Sequence, residues 1–165
     1  MSTNADSLTH ADSVRDEDVR QDIELLFFAY RDFTSDADAI LAEQGFGRAH
    51  HRVIHFVGRH PRISVAELLA ILRITKQSLG RVLGQLVEQG FVAQETGTRD
   101  RRQRLLTLTA AGSDLERRLS APQRARVARA YREAGAEAVA GYRKVLLGLI
   151  DAADRDAVLR KIDTP

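Results

Sequence analysis

The chain has 165 residues, 44% hydrophobic and 29% charged, with 25 Lys/Arg against 23 Asp/Glu and no cysteine. That length suffices for one proper hydrophobic core with extensions, and no run approaches the roughly 18 apolar residues of a membrane span. The absence of cysteine excludes structural disulfides, thiolate metal sites and thiol-oxidation switches, and the polar, acidic start MSTNADSLTHADSV is unlike a signal peptide, so a soluble cytoplasmic protein is expected.

The net charge of +2 hides a segregation along the chain. Residues 1–47 carry 3 Lys/Arg against 11 Asp/Glu, whereas residues 48–107 carry 11 against 4. A basic middle on a nearly neutral chain makes a local field suited to a polyanion, with nucleic acid favoured over membrane because no basic amphipathic helix dominates. A merely solvated charged surface is the plain alternative.

Residues 1–12 lack periodicity and are expected to be disordered. A long amphipathic helix follows, from Ser13 or Asp18 to Glu43, with Ile23, Leu26, Phe27, Tyr30, Phe33, Ala37 and Ile40 or Leu41 at the 3.6-residue period. Gly45 and Gly47 end it. A second helix is predicted over Arg48–Arg59, burying Ala49, Val53, Ile54, Phe56 and Val57, with Pro61 marking its exit.

Ser64 and Glu67 form a capping box that opens a third helix, whose apolar face is Leu68, Leu69, Ile71 and Leu72. After a turn at Arg73 and Ile74, Thr75 caps a fourth helix. Two short helices joined by so few residues make a helix-turn-helix. In the fourth helix Leu79, Val82, Leu83 and Leu86 must pack inward, which leaves Lys76, Gln77, Ser78, Arg81 and Gln85 outward. Those side chains suit a major groove: Arg reads a guanine edge, Gln an adenine edge, and Ser or Lys bases or phosphates. Gly80 and Gly84 each cost about 1 kcal/mol against Ala inside a helix, a hint that something approaches that side closely. An ordinary solvated helix face is the bland reading.

Strands are predicted at Phe91–Glu95 and Arg104–Leu108. Between them TGTRDRRQ supplies Gly97 for the turn and gathers Arg99, Arg101, Arg102 and Arg104, a cationic tip suited to a minor groove. Asp100 is expected to pair with one of these arginines and fix its direction. Thr109 caps a fifth helix. Pro122 is expected to kink that helix or start a new one, and Gly135 to break the chain again before a last helix that opens at Asp151–Asp154. The C-terminal stripes, including Tyr142, Val145, Leu146 and Leu149, exceed what one small domain covers, which suggests a helical dimer interface.

The fold class expected is therefore mainly α with a small antiparallel β wing, a winged helix-turn-helix flanked by dimerisation helices. The residues SVAELLAILRITKQSLGRVLGQLVEQGFV followed by DRRQRLLTLTAAG resemble the MarR family of winged helix-turn-helix transcription regulators. The family's wing signature is met by Asp100, Arg102, Leu106, Leu108, Thr109 and Gly112. The resemblance implies a homodimeric regulator, a repressor in the commoner case, on an inverted repeat of double-stranded DNA. It assigns residues 13–47 and 113–165 to dimerisation and 48–112 to DNA binding. Ser64, Thr75, Lys76, Gln77, Ser78, Arg81, Gln85, Arg99, Asp100, Arg101, Arg102 and Arg104 are the expected DNA-binding set. Arg73 departs from the family, which usually has Gly in that turn, so a left-handed residue is expected there at modest cost.

By the same resemblance a small-molecule effector is expected among Phe27, Tyr30, Arg31, His51 and His55. His50, His51, His55 and His60 fall within eleven residues, and His51 and His55 share a helix face as metal ligands can. A structural role is the first reading of this cluster, and a metal-responsive regulator remains an alternative, as does a winged helix used only for protein contacts. No cofactor is expected. No nucleophile elbow, phosphate loop or paired carboxylates organise a catalytic site, so an enzyme is not expected.

Overall fold

A computed structural model describes residues 14–98 and 100–163. The expected disorder of residues 1–12 lies outside these. The chain divides into two compact units, with the boundary between Ser35 and Asp36, inside the first helix.

In the first unit, helix α1 (Asp16–Ala42) begins with Asp16, Glu17 and Asp18, whose charges complement the positive end of the helix dipole. Its expected stripe is divided. Ile23, Leu26, Phe27 and Tyr30 stay exposed, whereas Ala37 and Leu41, in the second unit, are fully buried.

The second unit follows α1 with α2 (Arg48–Arg59), β1 (Ile63–Ser64), α3 (Val65–Leu72), α4 (Lys76–Glu88), β2 (Val92–Thr96), β3 (Arg104–Leu108), α5 (Ala110–Ala134), α6 (Ala136–Leu149) and α7 (Arg155–Asp163). Its core is built from Val53, Ile54 and Val57 of α2, Leu68 of α3, Leu79, Val82 and Leu86 of α4, Leu106 of β3, and Leu115 and Leu119 of α5. The sheet runs β1-β3-β2, all antiparallel. Strand β1 was not expected. Two residues carry no periodicity of their own, and what makes them a strand is pairing with a distant partner, Ile63 opposite Leu106 and Ser64 opposite Leu105.

Local signals set the helix ends. Ser64 Oγ accepts from the Glu67 N–H at 3.2 Å, and the Ser64 N–H donates to the Glu67 carboxylate at 2.9 Å, completing the capping box. Arg73 closes α3 in the left-handed region at φ 50°, as expected of a turn that ordinarily takes Gly. Its guanidinium meets the Asp154 carboxylate at the start of the last helical segment. Pro122 neither breaks nor restarts the helix: α5 continues through it to Ala134. Only the bond to the Arg118 carbonyl is forfeited, and α5 is anchored to the end of α1 on both sides of the proline, by Arg118–Glu43 at 3.0 Å and Arg126–Asp36 at 3.2 Å. Gly135, at φ 84°, then separates α5 from α6. No helix among the described residues is long and apolar enough to cross a membrane.

Candidate nucleic-acid interface

Helix α4 buries Leu79, Val82, Leu83 and Leu86 and leaves Lys76, Gln77, Arg81 and Gln85 exposed, with Ser78 half-buried. The division follows from the helical period, since the four leucine and valine positions fall on one face. Thr75 Oγ1 accepts from the Ser78 N–H at 3.1 Å and its hydroxyl donates to Ser78 Oγ at 2.9 Å. Thr75 and Ser78 therefore fix the N-terminus of α4, the end at which backbone N–H groups and the helix dipole favour phosphate. Ser64 has a capping role as well: it is largely buried, its hydroxyl donates to the Glu67 carboxylate at 2.7 Å, and it lies on the lining of the trough between α3, α4 and the wing.

The wing is the β2–β3 hairpin. Gly97 N–H donates to the Gln103 carbonyl at 2.9 Å, and the Gln103 N–H to the Asp100 carbonyl at 3.0 Å. A Cβ on Gly97 would lie 2.6 Å from that Asp100 oxygen, so only Gly fits the turn. Asp100 does not pair with a wing guanidinium among the described residues. Its carboxylate accepts the Arg102 backbone N–H at 2.9 Å, a local turn bond that fixes the chain at Arg102 and leaves that side chain exposed. Arg104 donates to Thr96 Oγ1 at 2.7 Å across the last rung of the hairpin, so its head is held where the strands meet the loop. Arg101 is exposed at the tip, and Arg99 lies outside the described residues.

Between α3, α4 and the wing lies an open trough of about 720 Å³, lined by Lys76, Gly80, Gly84, Gln94, Arg102 and Arg104 among others. A Cβ on Gly80 or Gly84 would meet nothing within 4 Å, so no part of the described chain makes the close approach that these glycines suggested. The structure thus brings Lys76 of α4 and Arg102 and Arg104 of the wing to one concave face.

The residues expected to meet an effector are placed separately. Phe27, Tyr30 and Arg31 are exposed on α1, and His51 and His55 are half-buried on α2. His51 is held below the ordinary imidazole range by burial and then by His55, and His55 chiefly by burial, against the opposing Glu116 carboxylate. His60 is lowered as well, by desolvation and then by Lys161 and Arg59. Among the described residues no three His, Asp or Glu side chains gather as a metal ion would need.

Three folded-state pKa values lie below the unfolded value of about 6.5, so the unfolded chain binds protons that the folded one does not. Their neutral forms cost nothing above that value, and stability falls as pH drops through and below it. The thermal midpoint is expected to decline between pH 7 and pH 5 more steeply in the natural chain than in His51→Gln/His55→Gln. Parallel curves for the two proteins would contradict this.

A capped helix-turn-helix whose second helix is polar outward, followed by an arginine-tipped hairpin, defines a winged helix-turn-helix. The family model that matches is that of the MarR family, over residues 44–103. A curated relative, the HTH-type transcriptional regulator PetP of Rhodobacter capsulatus, is 52% identical over 140 residues, 85% of this chain and 84% of its own. The chain belongs to the MarR family and is a transcription regulator, not an enzyme. Among solved structures, Streptococcus pneumoniae FabT in complex with DNA is similar at TM-score 0.70 and 19% identity, covering 79% of this chain and 94% of that one. A mutant MarR from E. coli complexed with operator DNA is similar at TM-score 0.62 and 18% identity, covering 82% and 97%.

Proposed function

We propose that this chain is a homodimeric repressor that binds an inverted repeat of double-stranded DNA and responds to a small-molecule effector. The observation that carries the reading is the trough between α4 and the wing, lined by Lys76, Arg102 and Arg104, with Arg81 and Arg101 exposed on the same two elements. Residues 48–112 read the DNA in this proposal, and residues 13–47 and 113–165 hold two copies together. The N-terminal half of α4 enters the major groove, with Arg81 and Gln77 on base edges and Lys76 on phosphate. Ser78 supports the capped N-terminus, and Arg102 reaches the minor groove from a wing held by Asp100.

The dimer is supported by uncovered apolar side chains. Tyr142, Val145 and Leu149 of α6 and Ile162 of α7 are exposed, as are Ile23, Leu26 and Phe27 of α1. Patches of this kind mark interaction surfaces. A two-fold dimer places its recognition helices about one DNA turn, roughly 34–36 Å, apart. An effector that favours another spacing lowers DNA affinity by shifting the population.

Selection of bound fragments from genomic DNA tests the reading and supplies the operator. On that operator Arg102→Ala is expected to weaken binding by about 1–3 kcal/mol and to reduce the salt slope by about one. Unchanged affinity and slope would remove the wing from the interface.

A further inference from the structure

His50 and Gln85 are 35 residues apart, on α2 and α4, yet their side chains meet with His50 Nε2 at 2.7 Å from Gln85 Oε1. His50 is buried, stacked on Phe46 with ring centroids 4.5 Å apart, and its Nδ1 accepts the Gly47 backbone N–H at 3.1 Å. These three contacts fix hydrogen-bond polarity in sequence. A ring nitrogen that accepts a backbone N–H carries no proton, so in the neutral ring the proton is on Nε2 and Nε2–H donates. The group opposite must be an acceptor, which turns the Gln85 carboxamide oxygen inward. Its NH₂ is then the group left for the exposed face of α4, one turn behind Arg81.

We propose that His50 is a positioning residue for DNA binding, holding Gln85 so that it presents a donor to a phosphate oxygen. This rests on the function proposed above. With its oxygen committed, Gln85 cannot make the two-bond pairing with adenine that needs both its carbonyl and its amide. Gln85 also lies about 12 Å along the helix from Gln77, away from the N-terminal residues that reach base edges. A donor there meets the backbone at the groove's wall. The sequence expectation that any outward Gln reads adenine therefore narrows to Gln77.

The test uses the full-length protein and the duplex it selects. Gln85→Leu, whose cost to folding from the unpaired His50 Nε2–H is read separately in the melting curve, is expected to weaken binding about three- to tenfold, the range of one net hydrogen bond. His50→Leu should lose a similar factor, and the double variant no more than the larger single loss, because both act through the one Gln85 donor, which His50→Leu leaves unpositioned and Gln85→Leu removes. His50→Gln, which can accept from Gly47 and donate to Gln85, should restore affinity to within about twofold. In the natural protein, ring ¹⁵N shifts should report Nε2-protonated His50, and the Gln85 side-chain amide resonances should move on adding DNA. A loss of DNA binding from unfolding would show in the melting curve and would not be rescued by a donor at position 50. If the natural chain binds its duplex with steep salt dependence while Gln85→Leu binds equally well, the positioning role is wrong and the DNA-binding reading stands. If the natural chain selects no DNA, that reading fails first.

Discussion

Gly112→Ala is expected to destabilise the protein by about 3 kcal/mol or more, lowering the thermal midpoint by roughly 10 °C. A Cβ at this position would lie 1.9 Å from the Phe91 carbonyl oxygen and 3.0 Å from its carbon. The obstacle is backbone, so no rotamer change relieves it. That oxygen already accepts the Thr109 N–H at 3.1 Å, and the Thr109 hydroxyl caps α5 through Gly112 N–H at 3.0 Å. Moving Phe91 would disturb the corner at which β2 starts, β3 ends and α5 begins, and the wing with it. Gly84→Ala is the control of opposite sign. Nothing lies within 4 Å of its Cβ, and the gain in helix propensity should stabilise α4 by up to about 1 kcal/mol. Equal midpoints for these two variants, measured by calorimetry, would contradict the packing described.

Val145→Glu is expected to abolish dimerisation at micromolar concentration. Val145 is 62% exposed in the single chain, so the substitution should leave folding intact, and Glu is the better helix former. In a two-fold interface the change occurs twice and places two carboxylates in an apolar contact. Lost burial of about 1.5–3 kcal/mol per side chain, before the cost of the charges, already corresponds to a weakening of a hundredfold or more. The mass in solution should fall from twice 18.3 kDa to 18.3 kDa, with an unchanged helical circular-dichroism spectrum. Affinity for a duplex with two half-sites should fall with it. A variant that remains a dimer would place the interface elsewhere.

Much of the fold was legible because its signals are local. The range Arg48–Arg59 follows from a glycine before it and a proline after it, and β3 from alternating apolar residues behind an arginine run. The caps at Ser64, Thr75 and Thr109 need only residues three positions apart. The features missed depend on distant partners. Strand β1 exists because Ile63 meets Leu106, and His50 is buried because Phe46 and Gln85 surround it. Asp100 could be read as a wing organiser but not as one acting through a backbone N–H, since several donors stood within its reach. Ser64 suits both a cap and a phosphate contact by residue type; the structure shows the cap, on Glu67, at the lining of the trough. For α1 the periodicity was real, but period alone does not say which apolar residues are covered within one chain.

In the proposed function two copies of this chain read one inverted repeat through α4 and the wing. The most direct test titrates the selected duplex at several salt concentrations, alongside the same duplex with about half a helical turn inserted between its half-sites. A dimeric reader of this kind binds as two chains per duplex, with an affinity that falls by about a thousandfold or more between 50 and 200 mM salt and with loss of tight binding on insertion. One chain per duplex, or binding indifferent to both salt and spacing, would contradict it.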